Sequence, residues 1–241
     1  MHDIARTLAL HIAGLLAFAL LARTRRHVST MPLAIAVGTL ALYWLVVWQG
    51  LAWQPHVPGL SHLRWNWLGK ALAISVDLAV VAALPRMTWP AVGMTWRQAR
   101  SAPACTLLVA ATTCAFSWAV QWRFDGHPHL EPERLLYQAT MPGLDEELFW
   151  RGLLLALLQR AFGPGRKIVG AAFGPAELAV TLLFAAGHSL AVAHGAVVFD
   201  GLAFAVTGLI GAALTWLRTR TGSLVAPVLL HNLVNVGNAL F

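Results

Sequence analysis

The feature that most constrains this chain is a series of apolar stretches, each about as long as a membrane-crossing helix. A bilayer core about 30 Å thick is crossed by about 20 helical residues, and eight stretches come close to that length. They lie at 4–22, 31–53, 67–84, 102–121, 135–160, 173–193, 196–217 and 222–241. The sequence therefore predicts an all-α, polytopic membrane protein of about eight transmembrane helices.

The composition leaves little polar surface for a water-soluble globule. Apolar residues make up 58% of the chain and charged residues 11%, whereas a soluble protein carries about 25% charged residues. A net charge of +7 favours nucleic-acid binding in a soluble protein, but here the basic residues fall in short loops between apolar stretches. We therefore predict one unit embedded in a lipid bilayer, with no nucleic-acid partner.

The basic residues alternate between the two sides of the predicted membrane. The loops after the first, third, fifth and seventh stretches hold Arg23, Arg25, Arg26, Arg86, Arg97, Arg100, Arg160, Arg166, Lys167, Arg218 and Arg220. The other side holds fewer, namely Arg6, Arg64, Lys70, Arg123 and Arg134. Because basic loops stay in the cytoplasm, both termini are predicted to lie outside it. The first stretch precedes its basic cluster, which indicates a retained anchor and not a cleavable signal.

The fifth stretch is too long for one simple crossing and contains Met141-Pro142-Gly143. Proline interrupts the interior of a helix but suits its first turn. The crossing helix is therefore expected to begin near Pro142, with residues 134–141 as a short lead-in on the membrane surface.

Three groups of polar residues inside the predicted spans are functional candidates, because ionisable residues are costly in a bilayer. The first is Asp145-Glu146-Glu147, followed by Arg151. Glu147 and Arg151 are four residues apart, so they share a helix face and can pair. Glu146 lies about 100° around the helix without that partner, which suits a general base. The alternative is that these carboxylates only favour the positive end of a helix dipole.

The second and third groups are two histidines and an asparagine in later spans. Small residues precede His188 in Phe184-Ala-Ala-Gly-His188 and allow close approach of another helix; a structural histidine is the alternative. His231 and Asn235 are four residues apart and present hydrogen-bond donors on one face, as an oxyanion site requires; polar contacts between helices are the alternative. All three groups are predicted between the membrane centre and its outer face, which favours one shared site.

In order and spacing, these groups resemble the CAAX-prenyl-protease and bacteriocin-processing family (CPBP) of intramembrane proteases. That family carries Glu-Glu-x-x-x-Arg, then Phe-x-x-x-His, then His-x-x-x-Asn. Here the motifs read Glu146-Glu147-Leu-Phe-Trp-Arg151, Phe184-Ala-Ala-Gly-His188 and His231-Asn-Leu-Val-Asn235. The resemblance covers about residues 140–241. It implies N-terminal transmembrane helices without a motif at 1–133 and catalytic helices at 134–241.

The resemblance implies an endopeptidase in which Glu146 and His188 activate a water molecule. His231 and Asn235 would stabilise the oxyanion of the tetrahedral intermediate, and the ion pair of Glu147 would brace the site.

A zinc ion is an alternative that these residues leave open. Glu146, His188 and His231 could ligate Zn²⁺ and leave one open position. The chain has no His-Glu-x-x-His motif, the usual pattern of helical zinc proteases. The resemblance also allows a glutamate-type mechanism without a metal, which we favour.

The outward position of the predicted site suggests a substrate. The resemblance, together with the charge alternation, leads to the hypothesis of a protease in a bacterial inner membrane that processes or sorts an exported, C-terminally anchored protein or peptide. The alternatives are a CAAX-type prenyl-protein endopeptidase at the cytosolic face, a transporter, and a non-catalytic immunity or scaffold protein. A transporter is expected to show an internal repeat, and the sequence has none that is visible.

Overall fold

The computed structural model describes residues 2–99, 103–163 and 165–240, and the chain is 73% helical. Its helices are α1 His2–Arg23, α2 Thr30–Trp53, α3 Trp67–Ala83, α4 Pro103–Phe124, α5 Pro132–Glu146, α6 Leu155–Phe162, α7 Pro175–Ser189, α8 Gly201–Thr221 and α9 Val225–Leu240. A π-helical segment, Glu147–Leu154, joins α5 to α6, so these elements form one rod from 132 to 162. Counted in this way, the described residues hold eight helices, and the predicted all-α fold is confirmed.

Several helices have the length and apolar character of membrane spans, and the chain is an integral membrane protein. In the part of the chain that the structure describes, they are His2–Arg23, Thr30–His56, Pro103–Phe124 and Gly201–Thr221. The helices α7 and α9 are shorter, at 15 and 16 residues, and the rod carries the acidic cluster. Of the predicted features, the span ends at Ala102 and Phe241 and the basic residue Arg100 lie outside the described residues.

The loops gather at two opposite ends of the helical bundle, as the alternating charges predict. At one end, the Ser29 N–H donates to Ala161 O (2.8 Å). This basic end comprises the connections 24–29, 84–99, 165–174 and 222–224. At the opposite, far end, the His129 N–H donates to Ala239 O (2.8 Å). The far end comprises the connections 57–66, 125–131 and 190–200.

The rod begins ten residues earlier than the predicted start near Pro142, so that expectation is wrong. Pro132 occupies the first turn, where its missing N–H is not needed. The helix continues through Pro142, where Asn232 of α9 hydrogen-bonds the backbone on either side of the proline. Asn232 Oδ1 accepts from the Gly143 N–H (2.8 Å), and Asn232 Nδ2 donates to Thr140 O (3.4 Å).

Two short β-hairpins connect helices of the bundle, and one of them replaces helix where the sequence predicted longer spans. Strands β3 Leu190–Ala193 and β4 Ala196–Phe199 pair antiparallel at the far end, and β1 Arg166–Ile168 pairs with β2 Ala171–Phe173 at the basic end. The turn of the β3–β4 hairpin is His194-Gly195, with φ values of 51° and 79°. Positive φ at both central residues matches the right-handed twist of a tight hairpin. The predicted spans 173–193 and 196–217 are therefore too long at their facing ends.

The rod is the most deeply buried element of the bundle. Phe149, Leu153, Leu154 and Leu158 have no exposed surface, and side chains of α1, α2, α3 and α7 pack around this part of the rod. Since lipid tails are as apolar as leucine, such packing stabilises the bundle through van der Waals contact. The acidic cluster thus sits next to the most deeply buried part of the core.

Candidate active site

The inner part of the site is a buried ion pair in the π-helical segment. Arg151 Nη1 donates to Glu147 Oε1 (2.9 Å), so the predicted pair is present. Arg151 Nη2 also donates to Gly211 O (3.1 Å), and the guanidinium lies 4.1 Å from the centre of the Phe184 ring. Neither Glu147 nor Arg151 has exposed surface, so each charge depends on the other. Turns of π-helix are rare and are frequent at functional sites.

Glu147 also orients His231 of α9. His231 Nδ1 lies 2.7 Å from Glu147 Oε1, the oxygen that Arg151 contacts. Because an ionised carboxylate only accepts hydrogen bonds, Nδ1 carries the ring proton. The other nitrogen, Nε2, points toward Glu146 and lies 3.9 Å from its Oε2 atom.

His188, near the end of α7, is oriented by a backbone carbonyl. Its Nδ1 lies 2.8 Å from Phe184 O, which fixes the proton on Nδ1. The spacing of four residues in Phe184-x-x-x-His188 brings this carbonyl beside the ring, because helical residues four apart are neighbours. His188 Nε2 lies 3.7 Å from Glu146 Oε2.

Glu146 Oε2 therefore faces the Nε2 atoms of both imidazoles. The distances of 3.7 and 3.9 Å are too long for direct hydrogen bonds, but one water molecule can bridge atoms at such separations. Oε2 is buried and has no hydrogen-bond partner among the described residues, although buried polar atoms normally have one. Three acceptor atoms from α5, α7 and α9 thus converge on one point.

The point of convergence lies in a cavity of about 630 Å³. Asn235 lines the same cavity, and its half-buried side chain makes no hydrogen bond to the other residues that the structure describes. The structure thus brings the four predicted catalytic residues into one cavity. On the far-end side, the wall is formed by Arg64, Trp65, Asn66, Gln121 and Arg134.

Lys70 of α3 is a member of the site that the sequence reasoning missed. Its Nζ atom lies 2.6 Å from Asp145 Oδ2 and 2.8 Å from Glu146 Oε1. The prediction that Glu146 has no charged partner is therefore wrong. Tyr43 of α2 adds a further contact, because its hydroxyl donates to Asp145 Oδ2 (2.8 Å).

A signal for Lys70 was present in the sequence. Lys70 is an ionisable residue inside the predicted span 67–84, and this criterion singled out the acidic cluster. The charge alternation instead counted it among the basic residues on the outer side of the membrane. Only the packing of α3 against the rod reveals that it is buried.

Comparison with known protein families matches residues 130–237 to the family described as type II CAAX prenyl endopeptidase Rce1-like. The match bears out the predicted resemblance to the CPBP family over these residues. The Rce1-like segment contains all three predicted motifs, and it leaves α1 to α4 outside. The family is one of membrane-embedded peptidases, which supports a protein as substrate. No curated protein and no solved structure gives a significant match to the chain.

The predicted zinc ligands suit a metal in their chemistry but not in their spacing. Both imidazoles make the outer hydrogen bonds that are typical of zinc-ligating histidines. Among the described residues, however, no group of three His, Cys, Asp or Glu side chains has the spacing of a metal site. The Lys70 ammonium, 2.8 Å from Glu146 Oε1, also puts a positive charge beside the position that a cation would take. We therefore derive no step through a metal.

Proposed function

We propose that this chain is an intramembrane endopeptidase in which the Glu146 carboxylate activates a water molecule. The proposal rests on the buried Oε2 atom, which has no hydrogen-bond partner among the described residues and faces two imidazole Nε2 atoms at 3.7 and 3.9 Å. A general base has to lie within reach of the proton it abstracts, directly or through one water. The match to a family of peptidases supports the same conclusion.

The proposed reaction begins with a water molecule between Glu146 Oε2 and His188 Nε2. His188 orients the water by accepting one hydrogen, while Glu146 takes the other as a proton. The water oxygen attacks the carbonyl carbon of the peptide bond. The tetrahedral intermediate then collapses as Glu146 returns the proton to the leaving amine, so the atoms of water are divided between the new carboxyl and amino ends.

His231 and Asn235 are the proposed donors to the oxyanion. Asn235 has an amide without a protein partner among the described residues. His231 donates through Nε2 when the ring carries a second proton, and Glu147, 2.7 Å from Nδ1, balances the resulting charge. Loss of one oxyanion donor typically costs about 10²–10³ in kcat. The ion pair with Arg151 is proposed to brace His231 and to touch no substrate.

The test compares Glu146→Gln with Glu177→Gln. Both changes replace a carboxylate by an amide of the same shape, and Glu177 is fully buried but does not line the cavity. Two probes are used: a reporter protein with a C-terminal transmembrane helix and basic tail, and a peptide ending in a prenylated cysteine followed by three residues. We expect Glu146→Gln to fold and to lose about 10³-fold in kcat, whereas Glu177→Gln stays active.

The same pair of variants addresses the non-catalytic alternative. If neither probe is cut, membranes from a Glu146→Gln strain are compared with wild-type membranes by mass spectrometry, and we expect an uncut protein to accumulate. Full activity of Glu146→Gln, or identical membranes in the two strains, contradicts the proposal.

We further propose that the substrate is a membrane-anchored protein or peptide that is exported and is processed or sorted at the outer half of a bacterial inner membrane. Two features support this location: the cavity is lined at the far end by Arg64, Asn66 and Gln121, and most basic loops lie at the other end. By the positive-inside rule the far end then faces away from the cytoplasm. The name of the family favours a second candidate, a CAAX-type prenyl endopeptidase that opens to the cytosol.

The two β-hairpins offer a matched test of this orientation. His194 and Val169 are each the first residue of a two-residue hairpin turn, at the far end and at the basic end respectively. Single cysteines at these positions, in a background without Cys105 and Cys114, are exposed to a membrane-impermeant thiol reagent. We expect His194→Cys to react in intact cells and Val169→Cys only after permeabilisation. The reverse pattern supports the cytosolic candidate.

A further inference from the structure

We propose that Lys70 is a positioning residue for the candidate base Glu146, so that the site depends on a helix outside the Rce1-like segment. The inference rests on the proposed function. The matched segment, residues 130–237, does not include α3. Lys70 touches neither imidazole and is not proposed to touch substrate; it acts through the carboxylate it holds.

The buried charges of the acidic cluster require a cation beside Asp145 and Glu146. Asp145, Glu146 and Glu147 are consecutive, and their side chains are 0%, 14% and 0% exposed. Arg151 compensates Glu147, and no other basic side chain among the described residues lies within ion-pair distance of Asp145 apart from Lys70. Breaking a buried pair by removing one partner costs about 3–5 kcal/mol.

The two oxygens of the Glu146 carboxylate face different neighbours. Its Oε1 atom accepts from Lys70 Nζ (2.8 Å), whereas Oε2 faces His188 and His231 at 3.7 and 3.9 Å. A carboxylate that is held by one oxygen presents the other in a fixed direction. The ammonium group therefore determines which oxygen faces the imidazoles and where it stands.

Lys70 is itself held in place by Asp145. Asp145 Oδ2 accepts both from Lys70 Nζ (2.6 Å) and from the Tyr43 hydroxyl (2.8 Å). The Tyr43 ring stacks on Phe149 of the rod, with centroids 3.9 Å apart and an angle of 7° between the planes. Support of this kind holds functional side chains in productive geometry.

The start of α3 is fixed to α2, which sets the position of Lys70 along the rod. Asn66 caps α3, because its Oδ1 accepts from the Gly69 N–H (2.9 Å), and its Nδ2 donates to Val47 O (3.0 Å). Gly50 and Gly69 lie so close that a Cβ on either one would overlap backbone atoms of the neighbouring helix. Anchoring the start of α3 in this way fixes the depth of Lys70 within the helical bundle.

The competing account is that Lys70 only neutralises charge. Lys70→Met with Asp145→Asn separates the two accounts, because this double variant removes one positive and one negative charge and leaves the net charge of the cluster unchanged. Melting temperature, kcat and KM are measured with the anchored reporter and the prenylated peptide described above, with Glu146→Gln as the reference. Lys70→Arg is the second variant.

Positioning predicts that the double variant melts near the wild-type temperature and keeps its KM, yet loses about 10²-fold in kcat, as expected for a reacting group displaced by about 1 Å. Lys70→Arg is expected to lose activity as well, because a planar guanidinium does not reproduce the contacts of an ammonium. Wild-type kcat in the double variant overturns the proposal.

The outcomes separate this proposal from the function on which it rests. If Glu146→Gln is inactive and the double variant is fully active, only the role of Lys70 fails. If Glu146→Gln is itself fully active, the proposed function and the role of Lys70 fail together. If the double variant does not fold, Lys70→Arg decides, since charge balance alone predicts wild-type kcat for it and positioning predicts a loss.

Discussion

The Rce1-like segment and the helices that precede it contribute unequally but jointly to the acidic cluster. The segment supplies Glu146, both histidines and Arg151, which all lie in recognisable motifs. The preceding helices supply Lys70, which lies in none. Each region thus contributes one cation to the same run of three consecutive carboxylates. The comparison teaches that the part of a chain that carries motifs need not contain every residue on which the geometry of its site depends.

The largest expected effect falls on the cation of the Rce1-like segment. Arg151→Met leaves Glu147 without a charged partner in a position that has no exposed surface, and we expect a loss of stability of about 3–5 kcal/mol. The melting temperature in detergent and the amount of protein that reaches the membrane measure this loss. Restoring charge balance with Glu147→Gln in the same chain is expected to recover part of the stability. If Arg151→Met alone melts like the wild type, the ion pair of Glu147 with Arg151 does not stabilise the fold.

A smaller effect is expected from Glu147→Gln alone. The amide can keep a hydrogen bond to His231 but cannot balance the charge of its doubly protonated ring. We expect kcat to fall about 10–100-fold, as is common for outer partners of functional histidines, while KM stays within a factor of two or so. Steady-state kinetics on the two probes provides the measurement. A change confined to KM contradicts the proposed role of His231 at the oxyanion.

In the preceding helices, Tyr43→Phe is the mildest way to disturb the support of Lys70. It removes one hydrogen bond to Asp145 (2.8 Å) and keeps the stacking on Phe149. We expect a stability loss of about 1–2 kcal/mol and a decrease of kcat smaller than that of the Lys70 variants. Trp48→Phe, a change on the same helix at a residue outside the cavity lining, serves as the control. If the two variants have equal kinetics, Tyr43 does not contribute to the support of Lys70.

The smallest effect is expected from metal removal. The glutamate-type proposal predicts that a strong chelator leaves kcat unchanged in the purified wild type. If the chelator abolishes activity and Zn²⁺ restores it, Glu146, His188 and His231 act as metal ligands instead. Elemental analysis of the purified protein gives an independent readout.

The membrane spans could be predicted because an apolar run of about 20 residues has few other folds available to it. The β3–β4 hairpin could not, since His194-Gly195 is a weak turn signal inside a continuous apolar run. Its φ values of 51° and 79° become visible only in the structure. The continuation of the rod through Pro142 was missed for a similar reason, because the contacts of Asn232 with the backbone there come from a helix about ninety residues further along the chain.

The candidate site was predictable where its contacts are local. Glu147 and Arg151 are one helical turn apart, and the carbonyl of Phe184 reaches His188 by the same spacing. Glu177 of α7, by contrast, is buried and accepts from Gln159 of α6 (2.7 Å), a contact between two helices. The ion pair of Glu146 with Lys70 joins residues 76 positions apart, and no periodicity or motif encodes such a distance. Long-range pairs of this kind follow from helix packing alone.

The most direct test of the central claim, that the preceding helices act on the base of the Rce1-like segment, is a cycle of kcat measurements. The wild type, Lys70→Met/Asp145→Asn, Glu146→Gln and the triple variant are compared on one probe, since residues that act through one another give non-additive effects. We predict that the triple variant is no slower than Glu146→Gln, because Lys70 has nothing left to position. A triple variant that is slower by the product of the separate losses contradicts the claim.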